Sequence, residues 1–401
     1  MAKQQQKSTS AHKSVRNRLP FLLFLSSIML VVAAFWGAPY RTFRLNQGAS
    51  SLLSFFHHPD APGRSSQFIY SVFTPMQSTL WLGETANPAQ KTPLAAIVHR
   101  DGYGPKASLS PSGESIAYLV LPPEGKDPAA EAELWLINVK TPKPRKLAGG
   151  FDLYSAPVWS QDSQSVALRT ASLASQPPTY GLVLLDIKTA KRHVLVQGLP
   201  VLGIYPIGWT AGNNALVYAT ISASGTEFHE LTSSTGEHRL LLSISGGLAR
   251  DFRIHPQRQQ LLFTVYDPQH DPLYRVEVFD MREGVQSSVL QDQKAFLSPV
   301  WKPDSGLVTA GSDPENGRLH GGIASVSLGV QSEPSPLVSA PGAFFAPIAW
   351  SPSGGILAAR RFFGTDLGHI VNDQVMLLTD AGKTLRTLDG QGYVEFVGWI
   401  P

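Results

Sequence analysis

The stretch that decides the fold is "PVWKPDSG", residues 299–306. A related stretch, "PIAWSPSGG", follows at 347–355, and "PVWSQDS" comes earlier, at 157–163. Aligning the chain on the tryptophan position gives seven units, which begin at Leu109, Trp159, Trp209, Ile254, Trp301, Trp350 and Trp399. The spacings between them are 50, 50, 45, 47, 49 and 49 residues. A near-constant period of this length predicts a solenoid, a propeller or an array.

Each unit also repeats one internal order of β-rich segments. In the first complete unit, "ASL" ends one predicted strand, and "SIAYLVL", "ELWLINV" and "PRKLAGG" form three more. Four short strands in each period predict a propeller blade. We expect the tryptophans to be structural, filling the wedge between neighbouring blades, and the polar residues after them to reverse the chain. The alternative is that they stack on a sugar or a base. The tryptophans concerned are Trp159, Trp209, Trp301, Trp350 and Trp399.

The two ends of the repeat region complement each other. Residues 67–100 contain three predicted strands and lack a first one, whereas the last unit consists of "GYVEFVG" and "WIP". We therefore predict that a C-terminal strand at 393–399 completes the N-terminal blade, because this pairing removes the free edges of the sheets. The predicted fold class is all-β: a seven-bladed propeller over residues 67–401, preceded by one transmembrane helix. A six-bladed ring is the alternative and requires one unit to be misassigned.

The N-terminal residues predict a membrane anchor. Residues 1–18 hold five basic residues and no acid, a charge of +5, so the remaining chain carries 3 − 5 = −2. Residues 19–38, "LPFLLFLSSIMLVVAAFWGA", carry no charge over 20 residues, and about 20 apolar residues span a bilayer as a helix. The charge bias places the basic tail in the cytoplasm and the propeller outside it. The predicted localisation is therefore the cell membrane, with a single pass and the lipid bilayer as partner of residues 19–38.

A cleavable signal peptide is the competing interpretation of residues 19–38, although its apolar region is usually shorter, about 7–15 residues. Residues 39–66 hold several Pro, Gly and Ser residues and no sustained period, and they predict a linker. The chain has no cysteine, which excludes disulfides, thiolate zinc sites and a thiol nucleophile. Outside the tail there is no basic stripe, so nucleic acid is not an expected partner.

The motif residues resemble the TolB-type, WD-like (PD40-like) β-propeller repeat. The likeness is carried by residues 109–113, 159–163, 301–305 and 350–354, with "SIAYL" at 115–119 and "TGEHRLLL" at 235–242. It covers about residues 67–401 and implies a fold more than a function. TolB itself is periplasmic and six-bladed and has a separate N-terminal domain. Since this chain has a predicted membrane segment and linker there, TolB's partners are not carried over.

Candidate binding residues lie in two loops between predicted strands. The loop "YDPQHDPLY", 266–274, offers Asp267, His270 and Asp271, which could bind a cation or a polar ligand, although Asp-Pro pairs are also typical of plain turns. The comparable loop of the next unit, 311–322, offers a second set in which the same alternative applies. That set comprises Asp313, Glu315 and His320. No metal ligand, cofactor or catalytic residue is predicted, because no nucleophile elbow, zinc, phosphate-binding or dinucleotide motif occurs.

Two functions remain open on the sequence. The first is a scaffold that binds a protein, a peptide or a glycan and needs no catalytic residue. The second is an enzyme, a hydrolase or a lyase, whose site is assembled around the central channel from separate blades and leaves no linear motif. Several carboxylates, histidines or arginines that converge at one channel mouth would favour the enzyme.

Overall fold

The structure is a computed structural model. It describes residues 66–87, 89–124, 131–255, 257–303, 305–313, 321–328, 333–364, 369–388 and 392–401. The predicted membrane segment, 19–38, and the linker, 39–66, lie outside these ranges except for Ser66. The described ranges contain no helix that could span a bilayer.

The strands form seven four-stranded antiparallel sheets, which we call blades 1–7. Blade 1 contains β1 (Gln67–Thr74), β2 (Gln77–Glu84), β3 (Lys91–Val98) and β28 (Tyr393–Trp399). Blade 2 contains β4 (Lys106–Leu109), β5 (Ser115–Val120), β6 (Ala132–Asn138) and β7 (Arg145–Phe151). Blade 3 contains β8 (Val158–Trp159), β9 (Ser165–Ser172), β10 (Thr179–Asp186) and β11 (Arg192–Leu199). Blade 4 contains β12 (Gly203–Trp209), β13 (Ala215–Ser222), β14 (Gly225–Thr232) and β15 (His238–Ser245).

The last three blades follow the same pattern. Blade 5 contains β16 (Leu248–His255), β17 (Gln260–Tyr266), β18 (Tyr274–Asp280) and β19 (Val285–Asp292). Blade 6 contains β20 (Phe296–Trp301), β21 (Leu307–Ser312), β22 (Ile323–Ser327) and β23 (Ser335–Val338). Blade 7 contains β24 (Ala343–Trp350), β25 (Ile356–Gly364), β26 (Ile370–Thr379) and β27 (Thr384–Leu388). A short 3-10 turn, Ala211–Asn213, links β12 to β13.

The blades close into a ring around their first strands. The strand that begins each blade contacts the strand that begins the next, from β4 through β8, β12, β16, β20 and β24 to β28, and β28 contacts β4. β28 also pairs with β1, with Phe396 opposite Tyr70 and Val394 opposite Val72. The seven-bladed all-β propeller is thus confirmed, and the six-bladed alternative is excluded.

The hydrophobic core is divided among the seven junctions between blades. One cluster of buried apolar side chains lies at each junction and draws residues from both blades. At the junction of blades 6 and 7, for example, Val300 packs with Trp350 and Leu378. Burial of apolar area between blades therefore holds the ring together at every step.

The tryptophans of the repeat lie at these junctions. Trp159 donates from Nε1 to the Ser108 carbonyl, 3.2 Å away in blade 2, and Trp399 donates to the Ala349 carbonyl of blade 7 at 3.1 Å. Trp350 donates to Thr309 Oγ1 of blade 6 at 3.2 Å. Each of these side chains, like Trp209, is at most 7% exposed. The indole therefore both fills the wedge and links one blade to the one before it.

Trp301 differs from the other four tryptophans. It is only partly buried. Its Nε1, like that of the buried Trp209, has no hydrogen-bond partner among the described residues. The preceding inner strand carries Arg253 where other blades have Ser108 or Ala349, and the His255 ring meets Trp301 edge-on at 5.2 Å.

The polar residues after the tryptophan close the first turn of each blade. Ser110, Ser160, Thr210 and Ser351 each accept a hydrogen bond through the side-chain oxygen from the N–H five residues later, at 2.9–3.1 Å. In blade 5 the equivalent residue is His255, whose Nδ1 accepts from two backbone N–H groups. The hydroxyl satisfies a buried donor that the turn leaves without a ladder partner.

The antiparallel order gives the ring two faces. The tryptophan turns, and those between the third and fourth strands, form one face, which we call the turn face. Connections from the second to the third strand, and from one blade to the next, form the other, which we call the loop face. Both loops with predicted binding residues belong to the loop face.

Candidate functional site

Large apolar side chains are exposed preferentially on the loop face. Eleven such residues are exposed in the described part of the chain, and seven of them lie in loops or strand ends of this face. Loop-face members are Met76, Val98, Tyr103, Tyr154, Leu173, Leu202 and Val371. The remaining four lie on outer strands of blades 3, 4, 5 and 7. Single exposed apolar residues are ordinary, but their concentration on one face is typical of a surface that binds something.

The first predicted binding loop forms an ion-pair chain with strand β18. Asp267 Oδ2 lies 2.7 Å from His270 Nδ1 and 3.5 Å from Arg275 Nη2, and Arg275 Nε lies 2.9 Å from Glu277 Oε1. Asp271 contacts the Gln293 side chain. The structure thus brings Asp267 and His270 together, with Asp271 directed to the neighbouring connection.

The two carboxyl groups of this ion-pair series have pKa values that shift in opposite directions. Burial alone would raise the pKa of Asp267, but the Gln269 N–H, His270 and Arg275 hold that pKa below its ordinary value. For Glu277, burial raises the pKa despite hydrogen bonds from Arg275 and Gln286. Since Asp267 has partners on both oxygens, the geometry is that of a loop anchor, and its role in ligand binding stays a prediction.

The second predicted loop is described only in part. Asp313 donates its N–H to the Ala295 carbonyl at 2.9 Å and lies close enough to Tyr274 to raise the pKa of that phenol, which burial raises most. Asp313 and Asp267 lie on opposite sides of strand β18. Tyr274, the neighbour of Asp313, packs towards blade 6. Arg275, the partner of Asp267, is opposite Val265, which packs towards blade 4. Glu315 and His320 lie outside the described residues. Among those residues, no group of three metal-ligating side chains occurs.

A site that the sequence did not predict lies between blades 3 and 4. The Arg169 side chain, on β9, is only 4% exposed, and its guanidinium lies over the rings of Tyr180 at 4.5 Å and Tyr205 at 4.8 Å. Its Nε forms an ion pair with Asp152 Oδ2 at 2.9 Å. We call Asp152, Tyr154, Arg169, Tyr180 and Tyr205 the Arg169 nest.

Asp152 organises the nest from the connection between blades 2 and 3. Its Oδ1 accepts the Tyr154 N–H at 3.0 Å, its Oδ2 pairs with Arg169, and its own N–H donates to the Arg169 carbonyl at 3.0 Å. The Tyr154 side chain remains 54% exposed. Partial burial, with Tyr103 and Asp152 nearby, raises the pKa of the Tyr154 phenol. The nest therefore opens onto the loop face beside the exposed rings of Tyr154 and Tyr103.

A second buried arginine occupies the equivalent place between blades 7 and 1. Arg360, like Arg169, is the tenth residue after its tryptophan. Its Nη1 pairs with Asp373 Oδ1 at 2.6 Å, its Nη2 donates to the Val394 carbonyl at 2.7 Å, and its guanidinium lies 4.3 Å from the Tyr393 ring. This arginine is a structural link between blades. The shared spacing after tryptophan is the one sequence signal that could have identified Arg169.

Comparison with known proteins gives a fold but no family. No protein-family model matches the sequence, and no curated protein matches it. TolB from Acinetobacter baumannii is similar in structure, with a TM-score of 0.50 and 13% identity over 84% of this chain and 67% of TolB. An oligogalacturonate lyase in complex with manganese gives a TM-score of 0.52 and 10% identity over 80% of this chain and 81% of the lyase.

A prolyl endopeptidase has the highest TM-score of the three, 0.59, with 15% identity over 82% of this chain. The chain spans about half of that peptidase, 48% of its length. Identities this low carry the fold alone. The neighbours include a TolB protein, a lyase and a peptidase, so the shared propeller is compatible with both binding and catalysis.

Proposed function

We propose that this protein is a binding module, held at the membrane by residues 19–38, whose propeller lies outside the cytoplasm and recognises a protein, a peptide or a glycan through the loop face. The observation that carries the proposal is the concentration of exposed large apolar side chains on that face. Contiguous exposed apolar surface marks interaction sites, and tyrosine and arginine are enriched among the residues that contribute most to binding.

The carboxylates of the loop face form ion pairs or hydrogen bonds within the protein, which favours a binding role over catalysis. On the loop face Asp152 pairs with Arg169, and Asp373 pairs with Arg360. Asp267 is hydrogen-bonded within its own loop. The first pair ties a connection to a strand and the second ties one strand to the next, which suits a rigid platform. A hydrolase or lyase remains the second hypothesis, since blades can assemble a catalytic site without a linear motif.

The experiment is a cross-linked pull-down from cells of origin with the full chain as bait. A fusion of residues 1–66 to an inert domain removes proteins that bind the tail, the membrane segment or the linker. The proposal expects partners that only the full chain enriches. Their absence in repeated trials with efficient cross-linking would contradict a protein scaffold, and screens for glycans and small molecules would then follow.

Matched variants locate the surface. Leu173→Asp with Leu202→Asp places two charges on the loop face, where these side chains are 49% and 42% exposed. Val194→Asp with Leu240→Asp places the same charges on outer strands, at residues 63% and 54% exposed. Partner capture should be lost with the first pair and retained with the second. Loss with both pairs, or with neither, would argue against recognition through the loop face.

A further inference from the structure

We propose that the Arg169 nest binds the carboxylate of a peptide ligand. This inference rests on the proposed binding function and names the chemical group that the loop face recognises. It starts from an arginine that is almost wholly buried and yet has donors to spare. Buried charges without full hydrogen bonding are uncommon, because the desolvation of the charge must be compensated.

The terminal nitrogens of Arg169 carry the argument. Nε is the atom that faces Asp152, at 2.9 Å, in an ion pair whose geometry is not that of a hydrogen bond. Among the described residues, neither Nη1 nor Nη2 has a hydrogen-bond or ion-pair partner, and neither is sealed from solvent. Tyr180 and Tyr205 cover the faces of the guanidinium. A ligand can therefore reach only the outer edge, where the N–H groups of Nη1 and Nη2 project.

Arg360 shows what the same position looks like when it is purely structural. Both arginines lie ten residues after a tryptophan, stack on tyrosine and pair with an aspartate. In Arg360 the two terminal nitrogens are occupied by Asp373 and the Val394 carbonyl. In Arg169 the aspartate contacts Nε instead, so Nη1 and Nη2 have no protein partner among the described residues. The terminal nitrogens of Arg360 are therefore used within the protein, whereas those of Arg169 are available to a ligand.

The open edge matches a carboxylate. Two parallel N–H donors of a guanidinium bind the two oxygens of a carboxylate in a bidentate pair. The Tyr154 and Tyr180 hydroxyls, which have no protein partner among the described residues, can donate as well. Because Asp152 already balances the charge of Arg169, a monoanion suits the site better than a phosphate dianion.

Neighbouring side chains favour a peptide as the carrier of that carboxylate. Leu173 follows β9 directly, and Leu202 precedes β12, and both are exposed. These apolar side chains, with the Tyr154 ring, suit an aliphatic residue beside the carboxylate. A sugar acid would need acceptors for its hydroxyls, and both carboxylate oxygens of Asp152 are already engaged.

The test uses the full chain in detergent micelles and isothermal titration. The probes are N-acetyl-alanyl-leucine with a free carboxylate, its C-terminal amide, and methyl glucuronide. We expect saturable binding of the acid, and binding of the amide weaker by at least about tenfold, equivalent to about 1.4 kcal/mol. Arg169→Lys keeps the charge but lacks the two parallel N–H donors, and it should lower the affinity for the acid by at least about tenfold. Arg360→Lys should leave the affinity for the acid within about twofold of the wild type.

Each arm has an outcome that overturns the proposal. Equal affinity for acid and amide, equal loss in both arginine variants, or no saturation up to about 10 mM would each do so. Methyl glucuronide bound as tightly as the acid, with the same dependence on Arg169, would reject a peptide in favour of a sugar. Should Arg169→Lys fail to fold, Tyr154→Phe replaces it, with an expected loss of about threefold; unchanged affinity in that variant would count against the nest.

The outcome is separable from that of the proposed function. If Arg169→Lys still captures the cross-linked partner and no probe binds, the loop face binds its partner without this carboxylate and only the present inference fails. If the acid binds through Arg169 and the full chain captures no partner, the protein scaffold fails while the carboxylate site stands.

Discussion

Glu277 is a buried carboxyl whose protonation the fold favours. The side chain is 3% exposed, and burial raises its pKa above the ordinary 4.5 even though Arg275 and Gln286 lower it. A group whose folded pKa is raised contributes stability that is fully present below its unfolded pKa and lost as the pH rises through the folded pKa. Ionised Glu277 therefore weakens the protein at neutral pH relative to pH 4.5.

Replacing Glu277 by Gln should make stability less dependent on pH. The urea midpoint of the wild type should contain a component that falls as the pH rises from about 4.5 towards 7, and Glu277→Gln should lack it. Glu230→Gln, in a pair with the exposed Arg239, is the matched control and should leave that component in place. An identical slope in the wild type and Glu277→Gln would contradict the effect of burial. Below about pH 3.8 the lowered pKa of Asp267 adds the opposite trend, so that range is left out.

The tryptophans should not contribute equally to stability. Trp350 is 6% exposed and hydrogen-bonded to the neighbouring blade, so Trp350→Ala should lower the free energy of unfolding by about 3–5 kcal/mol. Trp301→Ala should cost less, below about 3 kcal/mol, because its indole is partly buried and its Nε1 has no partner among the described residues. Equilibrium denaturation followed by circular dichroism compares the two. The reverse order would mean that the junction of blades 5 and 6 is tighter than the geometry indicates.

At the scale of the strand and its turn, the recurring proline and hydroxyl have separate causes. Pro206 and Pro347 precede register shifts in β12 and β24. These inner strands pair on one side only, where proline costs no ladder hydrogen bond. The hydroxyl after the tryptophan instead accepts from the first N–H of the second strand. The recurring proline and the hydroxyl are both visible in the sequence repeat. The β-bulges are visible only in the register of the paired strands.

Removing one such hydroxyl should have a defined cost. Ser351 is fully buried, and its Oγ accepts the Ile356 N–H at 3.1 Å. Ser351→Ala leaves that donor unsatisfied and should destabilise the protein by about 1–3 kcal/mol. Ser353→Ala removes an exposed hydroxyl that lies 3.2 Å from the Ser351 Oγ. It leaves the Ile356 N–H satisfied and should cost less than about 1 kcal/mol. The urea midpoints decide between them, and equal effects would refute the capping role.

Strand positions were predictable because alternation and turn residues are local. "SIAYLVL" and "ELWLINV" coincide closely with β5 and β6. The third strand of blade 6, β22, is shorter than these, at only 5 residues. The sequence also favoured five equivalent tryptophans, whereas Trp301 is less buried than the other four. The ring that Trp301 meets edge-on, His255, belongs to the preceding blade, and no local pattern contains that contact.

For the molecule as a whole, the period predicted the ring but not its site. The repeat places Arg169 and Arg360 in equivalent positions, and both are indeed buried. Whether the terminal nitrogens of the arginine have protein partners depends on adjoining elements. Asp152, on a connection, contacts only Nε of Arg169, whereas Asp373 and Val394, on two strands, bind Nη1 and Nη2 of Arg360. These partners have no fixed spacing in the sequence. The sequence instead drew attention to acidic loops, whose Asp267 is largely satisfied by its own loop and strand.

Ring closure lets the junctions support one another. β28 supplies the inner strand of blade 1 from the opposite end of the chain. Phe396 stacks on Phe68 at 6.0 Å, and Trp399 meets Phe68 edge-on at 5.6 Å. Without β28, both the free edge of β1 and the apolar junction of blades 7 and 1 would be exposed. The junction of blades 1 and 2 would also lose Val397 and Ile400, which pack there.

Deleting residues 393–401 should therefore destabilise the entire propeller and not only its last strand. We expect the truncated chain to lose its cooperative thermal transition or to aggregate, because an open β1 edge and the side chains of Phe68 and Tyr70 become exposed. Deleting the exposed Pro401 alone is the control and should leave the melting temperature nearly unchanged. Adding a peptide of residues 393–401 in trans should restore part of the transition, since its pairing with β1 buries the same surface. A truncated protein that melts cooperatively at the wild-type temperature would show that each blade stands without the closed ring.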